Sequence, residues 1–413
     1  ALLRSRAYTA GADLSHSWQD PTWVVDGAVV GSAIHGDRDA ITAAQRSSAH
    51  YFQRPDASHL RLDTSRTALV GHAAQLGLTK LAGVHWRGSI GYQQVSPGFE
   101  SNDLGFQRYA DFRHLAATID YREDRPRPAV RNWRVIGIGR RGWNFGGTLL
   151  TNSVGLFGQT QFSNFWTAYG QIDRDFETFD AGLTRGGPLS IAPARLGYSL
   201  NLATDDRKSY QASGSWSYYS DRSGGRTWST YVSASVKPSP RVRFSITPVL
   251  TETHATAQYT TQIPDLTATM TYGQRYIFAA FDQTTFAMPT RVDWSFTPRL
   301  SLQIYAQPFD GSGRYSDYAE LSLPRAFRFD VYGRDRGTIA RDPAGVYTID
   351  PDGPSGAASP FTLDDASFDV RTLRSNIVLR WEYRPGSTLF LALQRRRDRE
   401  QVFVVKATYW LSL

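Results

Sequence analysis

Apolar and polar side chains alternate one by one along most of the chain. Tyr210, Ala212, Gly214, Trp216 and Tyr218 fall on one side of a predicted strand, and Gln211 and the serines between them fall on the other. Alternation with a period of two predicts a strand whose two faces meet different surroundings. The pattern recurs at 242–250, 300–307 and 376–384, and further candidate strands are 8–18, 23–34, 68–78, 84–92, 115–121, 133–143, 148–157, 162–173, 195–203, 228–236, 276–285, 291–296, 388–395 and 402–411. We therefore predict about 18 strands.

Strand length and turn composition favour one particular all-β architecture. Many of the predicted strands run for about 10 to 13 residues, which suits a tilted membrane-spanning strand better than a strand of a globular sheet. Short turns rich in Pro and Gly, such as 237–241 and 384–387, indicate an up-and-down meander. The prediction is a transmembrane antiparallel up-and-down β-barrel that forms a single domain over residues 1–413. No run approaches the roughly 18 apolar residues that a membrane helix needs, so strands must carry any membrane crossing.

Four long connections interrupt the predicted meander, at 35–66, 96–111, 176–193 and 309–369. The last is about 60 residues long, which is too long for a loop without a role. Its Asp, Gly and Pro content predicts turns, with a short strand near 327–332. We expect this connection to gate a passage or to recruit a protein partner.

The alternation also assigns side chains to the two faces of the predicted barrel. A polar inward face in a barrel of this size implies water or a plug rather than a packed apolar core. The candidate lumen-facing residues are Gln211, Arg241, Arg243, Arg380, Glu382 and Arg384. The candidate lipid-facing residues are Tyr210, Trp216, Tyr218, Phe244, Ile246, Trp381 and Tyr383.

Composition narrows the surroundings of the chain. Hydrophobic residues make up only 41%, yet aromatic residues reach 13%, a combination that suits a wall between two solvents. The net charge of +8 comes from 42 Arg against 4 Lys. Guanidinium groups suit contact with phosphate or lipopolysaccharide, although a GC-rich genome produces the same excess. The arginines are scattered, with no basic helix or recognition module, which disfavours nucleic-acid binding. The expected surroundings are lipid and lipopolysaccharide of a bacterial outer membrane.

Motifs for catalysis or cofactor binding are weak. The absence of cysteine excludes disulfides, thiolate metal sites and thiol nucleophiles. The glycines of 137–142 fit a dinucleotide fingerprint, but no helix or βαβ unit surrounds them, and we interpret them as small residues within a strand. The histidines have no metal-ligand spacing, the seven glutamates show no identifiable acid and base pair, and the aspartates at 350–353 and 364–365 fit ordinary turns. We expect no enzyme activity, cofactor or metal site.

Several long segments carry a resemblance to a known family. They are AYTAGADLSHSWQD (7–20), AQRSSAHYFQRPD (44–56), SPGFESNDLGFQRYAD (96–111), LTRGGP (183–188), NIVLRWEYRPGSTLFL (376–391) and VVKATYWLSL (404–413). The chain resembles a family of uncharacterised bacterial outer-membrane barrels that usually follows a family-nine-like carbohydrate-binding domain. The resemblance implies an outer-membrane barrel without assigned biochemistry. It also implies that upstream sequence or another chain completes the cylinder.

Three functions remain open from the sequence. The first is a barrel with a polar lumen that serves as a channel or as a transport or export component for polar solutes. The second is a structural or docking barrel that anchors a periplasmic or cell-surface complex. The third is a soluble β-rich carbohydrate-active enzyme, which requires an acidic pair facing a cleft.

Overall fold

Strands make up nearly the whole fold. The computed structural model describes residues 4–20, 22–102, 105–397 and 400–411. The first strands are β1 (Arg4–Trp18), β2 (Trp23–Gly36), β3 (Ala68–Lys80), β4 (Trp86–Val95), β5 (Phe112–Glu123), β6 (Val130–Trp143), β7 (Leu149–Phe162), β8 (Thr167–Asp175), β9 (Thr178–Asp180), β10 (Ser190–Ala192), β11 (Arg195–Ala203), β12 (Tyr210–Asp221) and β13 (Arg226–Ser239). The remaining strands are β14 (Val242–Ile246), β15 (Val249–Pro264), β16 (Gln274–Ala287), β17 (Thr290–Thr297), β18 (Leu300–Leu321), β19 (Phe329–Val331), β20 (Thr338–Arg341), β21 (Val346–Asp350), β22 (Phe361–Asp364), β23 (Phe368–Arg384), β24 (Ser387–Arg397) and β25 (Glu400–Ala407).

A single antiparallel sheet of 20 strands contains all but five of these strands. Strand β14 continues into β15 in the same direction past Pro248. Strand β16 likewise continues into β17 past Pro289. With each pair taken as one strand, and the short β19 set aside, the sheet is a meander of seventeen long strands. The predicted count was one higher because 276–285 and 291–296 were taken as separate strands.

The register of the sheet separates apolar from polar side chains. Residues directly opposite each other in neighbouring antiparallel strands share a face. One row across eight strands is apolar throughout: Tyr210, Val236, Phe244, Val292, Ile304, Ile377, Leu393 and Phe403. The adjacent row, on the other face, is polar over seven strands: Gln211, Ser235, Ser245, Arg291, Tyr305, Asn376 and Gln394. We call these the apolar face and the polar face.

The two edge strands of the meander are β1 and β25. Within the described residues, no backbone pairing joins them, so the predicted closed barrel stays a prediction. They are the first and last strands of a seventeen-strand antiparallel series, so they run in the same direction. Both start at the end of the sheet that carries the longest connections.

The long connections lie at one end of the sheet. They cover 37–67, 96–111, 176–194 and 322–367, where the predicted ranges were 35–66, 96–111, 176–193 and 309–369. The difference in the last range arises because β18 continues to Leu321. Strand β19 lies within the segment that was predicted to hold a short strand.

Strands β15, β16 and β18 extend past their neighbours at this end. Over about eight residues each, or about 25 Å, they pair only with one another and with β19. The small sheet of β20, β21 and β22 packs against this extension through Ile277, Tyr318 and Ile349. The extension therefore has a packed core of its own.

A short helix, α1 (Arg38–Arg46), begins the 37–67 connection. The Asp37 carboxylate caps it by accepting a hydrogen bond from the Ala40 amide at 2.7 Å. Ile41 packs against Ile34 of β2 and Leu69 of β3, and burial of each such side chain contributes roughly 1.5 to 3 kcal/mol. Neither α1 nor the 3₁₀ turn at Thr269–Thr271 is long and apolar enough to cross a membrane.

Candidate functional site: a capped cavity at one end of the sheet

Three of the long connections join into one structure, which we call the cap: the described residues of 37–67, 96–111 and 176–194. The Ala110 amide donates to the Ala49 carbonyl oxygen at 2.8 Å, which ties the first two segments together. The Leu189 amide donates to Oδ2 of Asp56 at 2.8 Å, which ties the first to the third. The third segment in turn contacts the start of the 322–367 connection, where the Arg325 amide donates to the Leu189 carbonyl oxygen at 2.7 Å.

The cap lies directly on the polar face. At Gly71 of β3, an added Cβ would stand 2.0 Å from the Phe99 backbone nitrogen, so only glycine allows the 96–111 segment to cross there. Next to this crossing, the Glu100 amide donates to the Ser32 hydroxyl of β2 at 2.9 Å. The cap is therefore fixed to β2 and β3 by backbone contact.

Two histidine and carboxylate pairs hold the cap internally. The His50 side chain is fully buried, with Nδ1 2.8 Å from the Pro97 carbonyl oxygen and Nε2 2.9 Å from Oε2 of Glu100. His59 Nε2 lies 2.8 Å from Oδ2 of Asp111. Since buried polar groups cost free energy when they are unpaired, these contacts specify how the two segments meet.

A cavity of about 1000 Å³ lies between the cap and the nearby ends of β4 to β7. Its walls include the aromatic side chains of Tyr51, Phe106, Tyr109, Phe112, Trp143 and Phe179. Charged side chains in the walls are Arg54, Arg108, Arg113, Asp111 and Asp180. This size and this mixture of rings with a few charges are typical of a site for a small molecule.

Tyr51 lies where the cavity meets the third cap segment. Burial raises the pKa of the Tyr51 hydroxyl, and the positive charge of Arg185 partly opposes this shift. The hydroxyl therefore stays protonated at neutral pH and presents a neutral hydrogen-bonding group.

A second buried cluster stabilises the extension rather than the cavity. The Arg275 guanidinium donates to both oxygens of Glu320, at 2.8 and 2.6 Å, and to Oδ2 of Asp265 at 2.6 Å. Tyr332 donates to Oε2 of Glu320 at 2.6 Å, and Arg336 also contacts this carboxylate. Burial acts to raise the pKa of Asp265, but hydrogen bonds from Thr267 and Arg275 outweigh it and leave this pKa lowered.

The structure places the predicted face residues as follows. Gln211 and Arg243 lie on the polar face, where Arg243 donates to the Ser235 hydroxyl at 3.2 Å, and Arg380 and Glu382 lie there too, 3.7 Å apart. Arg241 lies in the turn before β14, and Arg384 donates to the Tyr409 hydroxyl at 2.6 Å. The apolar face carries Tyr210, Trp216, Tyr218, Phe244, Ile246, Trp381 and Tyr383, and Tyr210 is 68% exposed. None of these residues lines the cavity.

Sequence reasoning did not identify the cavity residues. Three of the segments that carry the family resemblance, 44–56, 96–111 and 183–188, belong to the cap. The resemblance in these segments is a signal that could have indicated the cap, although alternation gave no reason to expect that they meet.

The fold and the cavity define an all-β chain with one large antiparallel sheet and a capped polar face. The chain belongs to the family described as domain of unknown function DUF5916, whose model matches residues 37–327. No curated protein matches the chain. A similar solved structure is the siderophore receptor PirA from Acinetobacter baumannii, with 8% identity and a TM-score of 0.47 over 95% of this chain and 60% of the receptor chain. The chain thus spans about 60% of the length of that receptor.

Proposed function

We propose that the sheet closes into a barrel that spans a bacterial outer membrane and that its polar face lines a passage for polar solutes. The separation of the two faces carries this proposal. Large apolar side chains such as Leu156, Leu200 and Val232 are more than half exposed on the apolar face, which is unfavourable in water. Lipid against that face removes the cost, and a closed barrel satisfies the backbone groups that lipid cannot.

Strand dimensions support a membrane position. Strand β7 has 14 residues, about 48 Å at 3.4 Å per residue. With the tilt of about 40° that is usual in such barrels, it covers about 36 Å along the axis, enough for the hydrocarbon core and its borders.

Aromatic side chains support the same position. They concentrate next to the short turns, at the end of the sheet opposite the cap: Trp18, Trp23, Trp86, Tyr121, Trp133, Trp166, Tyr210, Trp294, Trp381, Tyr383 and Trp410. Amphipathic rings of this kind favour the boundary between lipid and water. An aromatic belt at one height along the sheet is the arrangement expected at the surface of a bilayer.

Closure of the barrel requires a partner segment. Because β1 and β25 run in the same direction, antiparallel closure needs an odd number of further strands, and one strand gives a total of eighteen. We propose that upstream polypeptide or another chain supplies this strand. Cysteines at Ala10 and Val404 test the proposal: a disulfide between them indicates direct parallel contact of the edges and contradicts an inserted strand.

The passage is tested by conductance. Purified protein in planar bilayers is expected to conduct ions weakly because the cap narrows one end, and a variant that lacks 40–64 is expected to conduct more. A matched variant that lacks 340–364, outside the cap, is expected to conduct like the unmodified protein. If neither the unmodified protein nor the variant that lacks 40–64 conducts ions, the proposed passage is contradicted.

The extension favours a second role as a docking point. It projects past the neighbouring strands and its core is held by the buried Glu320 cluster, so it offers a rigid surface outside the proposed membrane. Pull-down with and without residues 340–364 tests this role. Loss of a bound protein together with unchanged conductance supports docking, and an unchanged set of bound proteins contradicts it.

A further inference from the structure

The cavity walls carry three arginines and two aspartates, and the protein engages the aspartates more fully than the arginines. Both carboxylates are already engaged by the protein. Asp111 accepts from the Phe145 amide at 3.0 Å and pairs with His59, and Asp180 accepts from the Gly182 and Leu183 amides at 2.6 and 3.0 Å. The two carboxylates of the walls therefore hold loops in place.

The arginines of the walls are less fully engaged. The Arg54 side chain is only 3% exposed and lines the cavity, but its Nε and Nη2 have no hydrogen-bond acceptor in the described chain. Its nearest carboxylate, Asp56, is 3.6 Å away, which balances charge without a hydrogen bond. A buried donor without an acceptor is unfavourable, so a ligand oxygen that accepts a hydrogen bond from this guanidinium offsets part of that cost.

A second arginine reinforces the positive character of the cavity. Arg108 is exposed, and its guanidinium lies 5.8 Å from the centre of the Tyr109 ring, with no carboxylate partner in the described residues. Phe106 and Tyr109 expose 90% and 53% of their surface beside it. Exposed rings next to an arginine offer a flat surface for a ring together with a charge for an anionic oxygen.

We infer that the cavity binds a solute that joins a carboxylate to a ring-shaped body, with Arg54 and Arg108 holding the carboxylate and the aromatic side chains holding the ring. A carboxylate fits because its two oxygens match the forked donors of a guanidinium. The inference rests on the proposed passage and names the class of solute that the passage selects.

Titration calorimetry on the full chain in detergent tests the inference with probes that differ only in charge. Glucuronate and benzoate are expected to bind at least about tenfold more tightly than glucose and benzyl alcohol, respectively. Inorganic phosphate serves as a ring-free anion and is expected to bind more weakly than either carboxylate. Equal binding of charged and neutral probes, or tighter binding of phosphate, overturns the inference.

Variants locate the site. The double change R54Q and D56N removes the guanidinium without leaving a buried charge unpaired, and R108Q alters an exposed residue that makes no buried contact. Each is expected to weaken carboxylate binding about tenfold or more, whereas R61Q, in the same segment but outside the cavity walls, is expected to leave it unchanged. Unchanged binding in R108Q and in a folded double variant overturns the inference.

The binding measurement and the conductance measurement can contradict the site and the passage independently of each other. Carboxylate binding by a protein that seals bilayers supports the site and contradicts the passage. Conductance without preference for charged probes supports the passage and contradicts the site.

Discussion

Leu200 offers the sharpest energetic test of the apolar face. It lies in the middle of β11, opposite Gly170 and Trp216, and is 59% exposed. If this face meets lipid, Leu200→Arg places a charge near the bilayer centre and costs about 2 to 4 kcal/mol, or roughly 30- to 900-fold in the folding equilibrium. If the face meets water, an exposed substitution of this kind changes stability by no more than about 0.5 kcal/mol.

The measurement is reversible folding into lipid vesicles across a urea series, followed by tryptophan fluorescence and by gel mobility. Two matched changes on the same strand serve as controls. Ser199→Arg lies on the polar face and is expected to cost less than about 1 kcal/mol, and Leu196→Arg lies near the capped end, where the lipid cost falls to about 0 to 1 kcal/mol. Equal effects of Leu200→Arg and Ser199→Arg refute the assignment of faces.

Three further predictions concern the cap and the extension. Gly71→Ala is expected to destabilise the folded cap by about 1 to 3 kcal/mol because the added Cβ meets the Phe99 backbone. Gly158→Ala, with open space around the added Cβ, is expected to be neutral or slightly stabilising. Hydrogen exchange of the cap amides distinguishes the two variants. Glu320→Gln is expected to destabilise the extension by about 1.5 to 3 kcal/mol because it removes one of the two carboxylates that pair with the buried Arg275, and undiminished protease resistance there contradicts this. Folding lowers the pKa of Asp265. Its contribution to stability is therefore present above its unfolded pKa of about 4 and is lost as the pH falls through its lower folded pKa. Hydrogen exchange in the extension is expected to accelerate only at acid pH.

The strands were predictable because period-two alternation depends only on neighbouring residues. The apolar and polar rows through Phe244 and Ser245 follow from that pattern once each strand finds its partner. The count was one too high because Pro289 separates two segments that continue in the same direction, and proline at that point resembles a turn in the sequence. Residues 251–264 of β15 were not predicted to be a strand. The part of β15 within the extension packs on both faces, so its apolar and polar residues do not alternate cleanly.

The cap was not predictable from local pattern. Its contacts join residues far apart in sequence, such as the Leu189 amide and Asp56, 133 positions apart. Helix α1 is only nine residues long, and its one local signal, Asp37 before the spacing of Ile41 and Ala44, was read as part of a loop. The cavity depends on these contacts, so its arginines could be assigned to it only from the fold.

The proposed barrel requires that one face of the sheet meets lipid and the other meets water. The chain has no cysteine, so single cysteines can be placed at each position from 153 to 158 in β7 and spin-labelled in vesicles. Oxygen, which concentrates in lipid, is expected to reach labels at Val154, Leu156 and Gly158, while a water-soluble nickel chelate is expected to reach those at 153, 155 and 157. Equal access of the nickel chelate to all six positions would contradict this assignment of the faces.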